Sequence, residues 1–210
     1  MRILTSLKIA SVVAATAAAT VVLNGTPAAA HHPAQVDRAG GEPAATSGQP
    51  AAASTRQLRR QIKANSLTSA QARVLQTRVS RVITRTGGTQ VAINQVAWKG
   101  GDTLIPLPGE RQARELGGAP KVSTVHGCSY YQFCTYGHRD FTGMVDRISS
   151  CTWHVSHGFF VAYVNNQTPG TRARFYDYYR HDLGVSQPAF SQDAQFGNVL
   201  GHQTHYIRPC

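Results

Sequence analysis

The sequence predicts a mainly β protein, in which a disulfide-stapled Greek-key sandwich follows a small α+β segment made of a helix and a hairpin. Three observations predict this class: strand-like runs separated by turn residues after residue 126, four late cysteines, and a helical period before a hairpin signal. Short, regularly spaced strands without helical periodicity are typical of antiparallel sandwiches. We therefore expect a signal peptide at 1–30, a disordered linker at 31–55, the helix and hairpin at 56–110, a linker at 111–125 and the Greek-key domain at 126–210.

The first thirty residues predict export. Arg2 and Lys8 precede an apolar, alanine-rich run over Ile9–Leu23, and small residues follow it. A basic start, a short apolar stretch and a small-residue cleavage site define a secretory signal peptide, with cleavage expected between Ala30 and His31. The run is too short for a membrane span, which needs roughly 20 apolar residues. We therefore expect a secreted, extracellular protein without a membrane span.

Two stretches have the composition of linkers. Residues 31–55 consist mostly of Ala, Pro, Gly, Ser, Thr and Gln and contain no aromatic residue. Such a segment buries too little apolar surface to offset the entropy of ordering it, which predicts disorder. Residues 111–125 form the second linker and carry a few charges. Whether residues 31–120 are removed as a pro-segment stays open.

Residues 56–85 hold eight Lys or Arg side chains and no acidic one. Apolar residues recur in this stretch with the 3.6-residue period of a helix. Thr68 and Gln71 form a capping box and Gly87 is a stop signal, so we expect a helix over Ser69–Thr86. Its basic stripe has two interpretations: a binding face for an anionic cell-wall polymer, or a solvated face opposite the packed apolar side. The extracellular location argues against nucleic acid as a partner.

A β-hairpin is expected after the helix. Residues 90–98 are rich in β-branched and aromatic side chains, residues 99–102 supply a turn, and residues 103–107 return. Pro106 and Pro108 predict that the second strand lies at the edge of its sheet, because proline cannot donate a backbone hydrogen bond. One helix and one hairpin are marginally stable alone, so we expect this unit to dock elsewhere.

The domain after residue 126 has five candidate strands and four cysteines. In an exported chain an even number of cysteines predicts two disulfides, which leaves no thiolate for catalysis. Hairpin register favours a bridge between Cys128 and Cys151 if Tyr136 faces Met144, but four cysteines allow three pairings. The candidate strands are 131–136, 144–150, 158–164, 171–176 and 204–208, and the cysteines are Cys128, Cys134, Cys151 and Cys210.

Signatures of catalysis and metal binding are missing from the sequence. It contains no HExxH zinc motif, no GxSxG nucleophile elbow and no CxxC pair. The histidine pairs at 154/157 and 202/205 have helical-turn spacing but fall in strand-like or loop-like segments. Asp140, Asp146, Asp177 and Asp182 could include a glycosidase-like pair of carboxylates, but each has a structural role beside an arginine or in a turn. We therefore expect no enzymatic activity, no metal and no cofactor.

The string "RARFYDYYRHD" over 172–182 is the candidate binding surface. Flat rings and guanidinium groups are enriched in protein interfaces and suit sugar stacking. Strand alternation places Arg172, Arg174 and Tyr176 on one face and Ala173 and Phe175 on the other. The alternative interpretation is that the tyrosines only complete the core. The candidate residues are Arg172, Arg174, Tyr176, Tyr178, Tyr179 and Arg180.

A family resemblance starts from Tyr136, Phe141 and Gly143. Their spacing resembles the folded hairpin of βγ-crystallin motifs, in which two rings pack and the glycine takes a backbone conformation closed to other residues. With "CSYYQFC", "SSC", "YVNNQTPGTRARFYD" and the terminal "RPC", the chain resembles secreted actinobacterial proteins of the peptidase-inhibitor family typified by the Streptomyces metalloproteinase inhibitor. The upstream "GGTQVAINQVAW" resembles long members, and residues 128–210 correspond to the inhibitor-like domain.

The resemblance implies a βγ-crystallin-like Greek-key fold and inhibition of an extracellular peptidase of the metallo or serine class. It also implies a local bridge between Cys128 and Cys134, which leaves Cys151 with Cys210. The second folded hairpin departs from the pattern, because His181 and Leu183 stand where an aromatic residue and a glycine are expected. The target peptidase, the reactive loop and the oligomeric state are not identified. The alternative function is a cell-envelope or carbohydrate-binding module.

Overall fold

The computed structural model describes residues 50–116, 124–197 and 200–210. The predicted signal peptide, its cleavage site and most of the first predicted linker lie outside these residues. The helices are α1 (Thr55–Ala64), α2 (Ser69–Thr86) and α3 (Leu200–Gln203). The strands are β1 (Thr89–Ala92), β2 (Gln95–Trp98), β3 (Gly101–Leu104), β4 (Thr124–Val125), β5 (Cys128–Ser129), β6 (Gln132–His138), β7 (Thr142–Ile148), β8 (His154–Val155), β9 (Ala162–Asn166), β10 (Arg174–Tyr176), β11 (Asp182–Val185), β12 (Ser191–Asp193) and β13 (Tyr206–Arg208).

Helix α2 has the predicted bounds. The Thr68 hydroxyl accepts a hydrogen bond from the Gln71 backbone N–H at 3.2 Å, and the Gln71 side chain accepts one from the Thr68 N–H at 2.9 Å. Gly87 ends the helix in the left-handed region with φ 64°. In the described part of the chain, no helix combines the length and the apolar character needed to cross a membrane.

Seven strands form the main sheet, in the order β1-β2-β3-β7-β6-β9-β12. The single strand predicted over 90–98 is wrong, because residues 93 and 94 form a turn that separates β1 from β2. The Asn94 side chain fixes this turn by donating hydrogen bonds to the carbonyl oxygens of Ile105 at 3.0 Å and Arg114 at 2.9 Å. The predicted two-stranded hairpin is therefore a three-stranded antiparallel unit of β1, β2 and β3.

Strand β3 lies inside the main sheet, not at its edge. It ends at Leu104, so Pro106 and Pro108 fall beyond the ladder and do not limit its pairing. Its second neighbour is β7, with Thr103 opposite Asp146 and Leu104 opposite Val145. The N-terminal strands are thus hydrogen-bonded into the sheet of the cysteine-containing half, and the predicted division at 111–125 does not separate two sheets.

A buried ion cluster fastens the same junction. Arg147 on β7 is 2% exposed and donates through Nη2 to Asp102 on β3 and through Nη1 to Glu115, each at 2.5 Å. Burial alone would lower the pKa of this guanidinium, but the two carboxylates outweigh burial and raise it. The cluster joins segments that lie more than thirty residues apart in the sequence.

A second sheet of four strands has the order β11-β10-β13-β8. One aromatic core cluster contains residues of both sheets, including Phe133 of β6, Tyr163 of β9 and Phe175 of β10. Another cluster packs Leu75, Val79 and Val82 of α2 against Val96 of β2, Ile93 in the preceding turn, and Ile105 and Leu107 just after β3. The mainly β, antiparallel class predicted from the sequence is confirmed. Each of the five predicted ranges contains or overlaps an observed strand. Strands β11 and β12 were not predicted, because they are short and show no periodic apolar pattern.

The disulfides pair Cys128 with Cys134 and Cys151 with Cys210, and the described residues hold no free cysteine. The alternative bridge from Cys128 to Cys151 is therefore wrong. Tyr136 faces Val145 rather than Met144, and β7 ends at Ile148, before it reaches Cys151. The Cys151–Cys210 bridge instead joins the segment before β8 to the end of the chain after β13.

Candidate functional site

The four-stranded sheet presents an aromatic face away from the core. Tyr176 of β10 lies opposite Tyr206 of β13, which lies opposite Val155 of β8. Because side chains alternate along a strand, Phe175 and Ile207 turn the other way, and both are buried in the aromatic core. The register of the three strands therefore places a row of rings on the outer face.

Trp153 and Arg180 lie over this row. The Trp153 ring lies 4.6 Å from the Tyr176 ring and 6.2 Å from the Tyr206 ring, measured between centroids. The Arg180 guanidinium lies 5.3 Å from the centroids of both Trp153 and Tyr206. Such contacts attract a cation to the electron-rich face of a ring, so Arg180 holds the two rings together.

A tight turn between β10 and β11 carries two strongly exposed rings. The Asp177 carboxylate accepts hydrogen bonds from the His181 backbone N–H at 2.8 Å and from His181 Nδ1 at 2.9 Å. Desolvation raises the pKa of the Asp177 carboxyl, but the His181 hydrogen bonds outweigh it and lower the pKa below its ordinary value. The turn presents Tyr178, 65% exposed, and Tyr179, 77% exposed.

These side chains form one continuous patch. The Tyr178 ring lies 5.0 Å from the His205 ring, which lies 4.6 Å from the Tyr206 ring. Trp153 remains 43% exposed although it contacts Tyr176. We call this patch the aromatic–arginine surface, and its members are Trp153, Tyr176, Tyr178, Tyr179, Arg180, His205 and Tyr206.

Four of the six predicted binding residues belong to this surface. Arg172 and Arg174 are exposed but are engaged elsewhere: Arg172 donates to the Ser186 carbonyl at 3.1 Å, and Arg174 pairs with Asp182 at 3.0 Å. Sequence reasoning missed Trp153, His205 and Tyr206, because they lie far from the 172–182 string. The pairing of Cys151 with Cys210 signals only that the segment of Trp153 lies near that of His205 and Tyr206, and the pairing of β13 with β10 then brings these residues to the string.

The predicted folded-hairpin residues also meet. The rings of Tyr136 and Phe141 pack edge to face with centroids 5.5 Å apart, and Gly143 has φ 80°. A Cβ at Gly143 would lie 2.5 Å from the His138 ring, so another residue there would clash as well as strain the backbone. Phe141 itself has φ 55°. The hairpin geometry therefore depends on glycine at 143.

A polar cluster lies near the C-terminal end of α2. Trp98 donates to the Thr103 hydroxyl at 3.0 Å, and Thr103 donates to the Asp146 carboxylate at 2.6 Å. Burial raises the pKa of Asp146 to about 6, against the opposing effects of Thr103 and Arg85. Burial, with Arg85 and His154 next in importance, lowers the pKa of His157 to about 4. His157 is therefore neutral at pH 7.

Burial also lowers the pKa of His154. Its Nε2 lies 3.0 Å from the Ser150 hydroxyl, with the Ser150 carbonyl oxygen at the same distance. The described residues contain no group of three or more His, Cys, Asp or Glu side chains placed to hold a metal ion. The arrangement that the structure offers most clearly is a binding surface.

Comparisons with protein-family models, with curated proteins and with solved structures found no match to this chain.

Proposed function

We propose that the protein is a secreted, non-enzymatic inhibitor of an extracellular peptidase, and that it binds the enzyme through the aromatic–arginine surface. The observation that carries the proposal is the combination of exposure and rigidity in one patch. Tyr178 and Tyr179 are more than half exposed, while ring contacts, the Asp177–His181 hydrogen bonds and the Cys151–Cys210 bridge hold the patch. Tyr, Trp and Arg dominate the energetic centres of protein interfaces.

Rigidity matters for an inhibitor because binding costs the entropy of every side chain and loop that becomes ordered. A patch that is ordered before binding avoids much of that cost. Two disulfides fit a protein that works in an oxidising compartment outside the cell. The reason for proposing a peptidase as the partner is the resemblance of residues 128–210 to the peptidase-inhibitor family.

Titration of purified protein against thermolysin-like, subtilisin-like and trypsin-like peptidases tests the proposal. We expect micromolar or tighter inhibition of at least one enzyme, and a loss of at least about tenfold in affinity for the double variant Tyr178→Ala/Tyr179→Ala. The matched control is Tyr131→Ala/Phe190→Ala, since these rings are 63% and 62% exposed outside the surface. No inhibition across the panel, or equal losses in both variants, would contradict the proposal.

A cell-envelope binding module is the second candidate function. The observation in its favour is that arginines are exposed along both N-terminal helices, with no acidic residue between residues 56 and 85. Sedimentation with purified wall material separates the two functions. Binding that moderate salt abolishes would favour the envelope, because salt screens exposed charges.

A further inference from the structure

A groove lies between α2 and the hairpin of β6 and β7, remote in sequence from the aromatic–arginine surface. Its volume is about 740 Å³, within the range of small-molecule sites. Arg78, Arg81 and Arg85 lie along the helix side. His138 and Met144 line the hairpin side.

The three arginines form a positive rim. Their spacing of three and four residues places them on one stripe of α2, and all three are exposed. Among the described residues, neither Arg78 nor Arg81 has a carboxylate within ion-pair distance. Arg85 approaches the Met144 sulfur at 4.0 Å, which brings it across the groove. The charge on this rim is therefore available to an anion.

Apolar side chains line the space below the rim. Val82 and Ile105 form the floor and are already buried, at 1% and 2% exposure, whereas the half-buried Pro106 and Met144 offer accessible apolar surface toward the hairpin. The groove continues past Arg78 as a more polar cleft of about 470 Å³, where Glu110 and Asp140 accompany the basic residues. Those carboxylates disfavour an anion there and leave the Arg78–Arg85 rim as the better position for a negative group.

We propose that the groove binds a single-chain amphiphilic anion, with its phosphate or carboxylate on Arg78 and Arg81 and its alkyl chain against Pro106 and Met144, above the buried floor of the groove. A simple anion would leave Pro106 and Met144 partly exposed to water, and a neutral alkyl chain would leave the arginines without a counter-charge. Guanidinium groups match phosphate and carboxylate oxygens geometrically. Burial of each methylene contributes about 0.8 kcal/mol, so the chain adds affinity that the head group alone lacks.

Isothermal titration of the full chain with monomeric decyl phosphate tests this site. We expect one molecule bound per chain with micromolar affinity. Inorganic phosphate and the uncharged decyl maltoside should each bind at least about tenfold more weakly, since each offers only one of the two interactions. Equal affinity for inorganic phosphate, or no heat with decyl phosphate, would overturn the proposal.

Two charge-matched variants locate the binding. Arg78→Gln/Arg81→Gln should weaken decyl phosphate by at least about tenfold, because it removes both head-group partners. Arg59→Gln/Arg60→Gln removes the same charge from exposed positions of α1 and should leave the affinity unchanged. Equal losses in the two variants would show attraction by net charge alone and would overturn the site.

A vesicle experiment separates a bound monomer from a membrane surface. Vesicles of anionic phospholipid should not compete for the groove, because the proposed ligand enters as a single chain. Vesicle binding that depends on Arg78 and Arg81 and displaces decyl phosphate would replace the proposal with a membrane-docking face.

Discussion

The carboxyl of Asp146 and the imidazole of His157 both lie near Arg85, and burial moves their pKa values in opposite directions. The pKa of Asp146 rises from 3.8 to about 6, and that of His157 falls from 6.5 to about 4. Between pH 3.8 and about 6, folded Asp146 holds a proton that the unfolded chain has lost, so its contribution to stability falls as pH rises. Unfolded His157 holds a proton that the folded protein rejects, so its contribution rises over the same range. The two effects oppose each other.

Replacing either residue should reveal the pH dependence that the other one contributes to the stability of the fold. For Asp146→Asn we expect the free energy of unfolding, relative to the unmodified protein, to increase by up to about 3 kcal/mol as pH rises from about 4 to 6.5. His157→Asn should give the opposite slope. Urea unfolding across this range measures both variants. A difference from the unmodified protein that stays constant with pH would contradict the assignment.

The Cys151–Cys210 bridge links the segment before β8 to the segment after its neighbour β13 in the small sheet. It closes a loop with a sequence separation of 59, and both cysteines are exposed, so their replacement leaves no core cavity. The entropy of closing a loop of this length is worth about 4 kcal/mol. Because Trp153 and Tyr206 lie next to the two ends of the bridge, the aromatic–arginine surface depends on the same link.

Cys151→Ala/Cys210→Ala should therefore lower the free energy of unfolding by about 4 kcal/mol, measured in urea. The matched control is Arg174→Ala, which breaks an exposed ion pair on the same sheet and should cost less than about 1 kcal/mol. A loss no larger than that of the control would show that the small sheet is held by its packing alone.

The two halves of the described chain share the seven-stranded sheet. Without residues 50–116, β7 would lose its partner β3, and Arg147 would lose both Asp102 and Glu115. An uncompensated charge of this kind costs about 3 to 5 kcal/mol when it stays buried, which is comparable with the stability of many domains.

We therefore expect a fragment of residues 124–210 to lack a cooperative unfolding transition, whereas a chain that starts at residue 50 should retain one. Urea unfolding followed by circular dichroism distinguishes them. A sharp transition in the fragment would contradict this expectation and show that residues 124–210 fold without the first three strands, as the predicted boundary at 111–125 implies.

The sequence predicts this molecule best where the signal is local. The ends of α2 follow from Thr68, Gln71 and Gly87, which act within a few residues of the helix. The sequence pattern does not indicate the turn at Asn94, because apolar residues surround it and the hydrogen bonds that fix it go to the distant Ile105 and Arg114. The pairing of β3 with β7 depends on residues more than forty positions apart, and no local pattern encodes it.

The binding surface follows the same rule. Tyr176 to Arg180 were predicted because they are neighbours in one string. Trp153 and Tyr206 come beside them through the pairing of β10 with β13 and the Cys151–Cys210 bridge, both of which join residues distant in the sequence. The βγ-crystallin-like topology and the inhibitory activity stay predictions.

The order of the seven-stranded sheet also bears on self-association. At one end β1 is not left open, because Ala53 donates a backbone hydrogen bond to the Gln90 carbonyl at 2.8 Å as the chain enters α1. At the other end β12 has only three residues, one of them the charged Asp193. Long, bare strands at a sheet border recruit strands from other molecules and start aggregation. Because neither edge strand is both long and unpaired, we expect this sheet to resist the recruitment of strands from other molecules when the protein is concentrated.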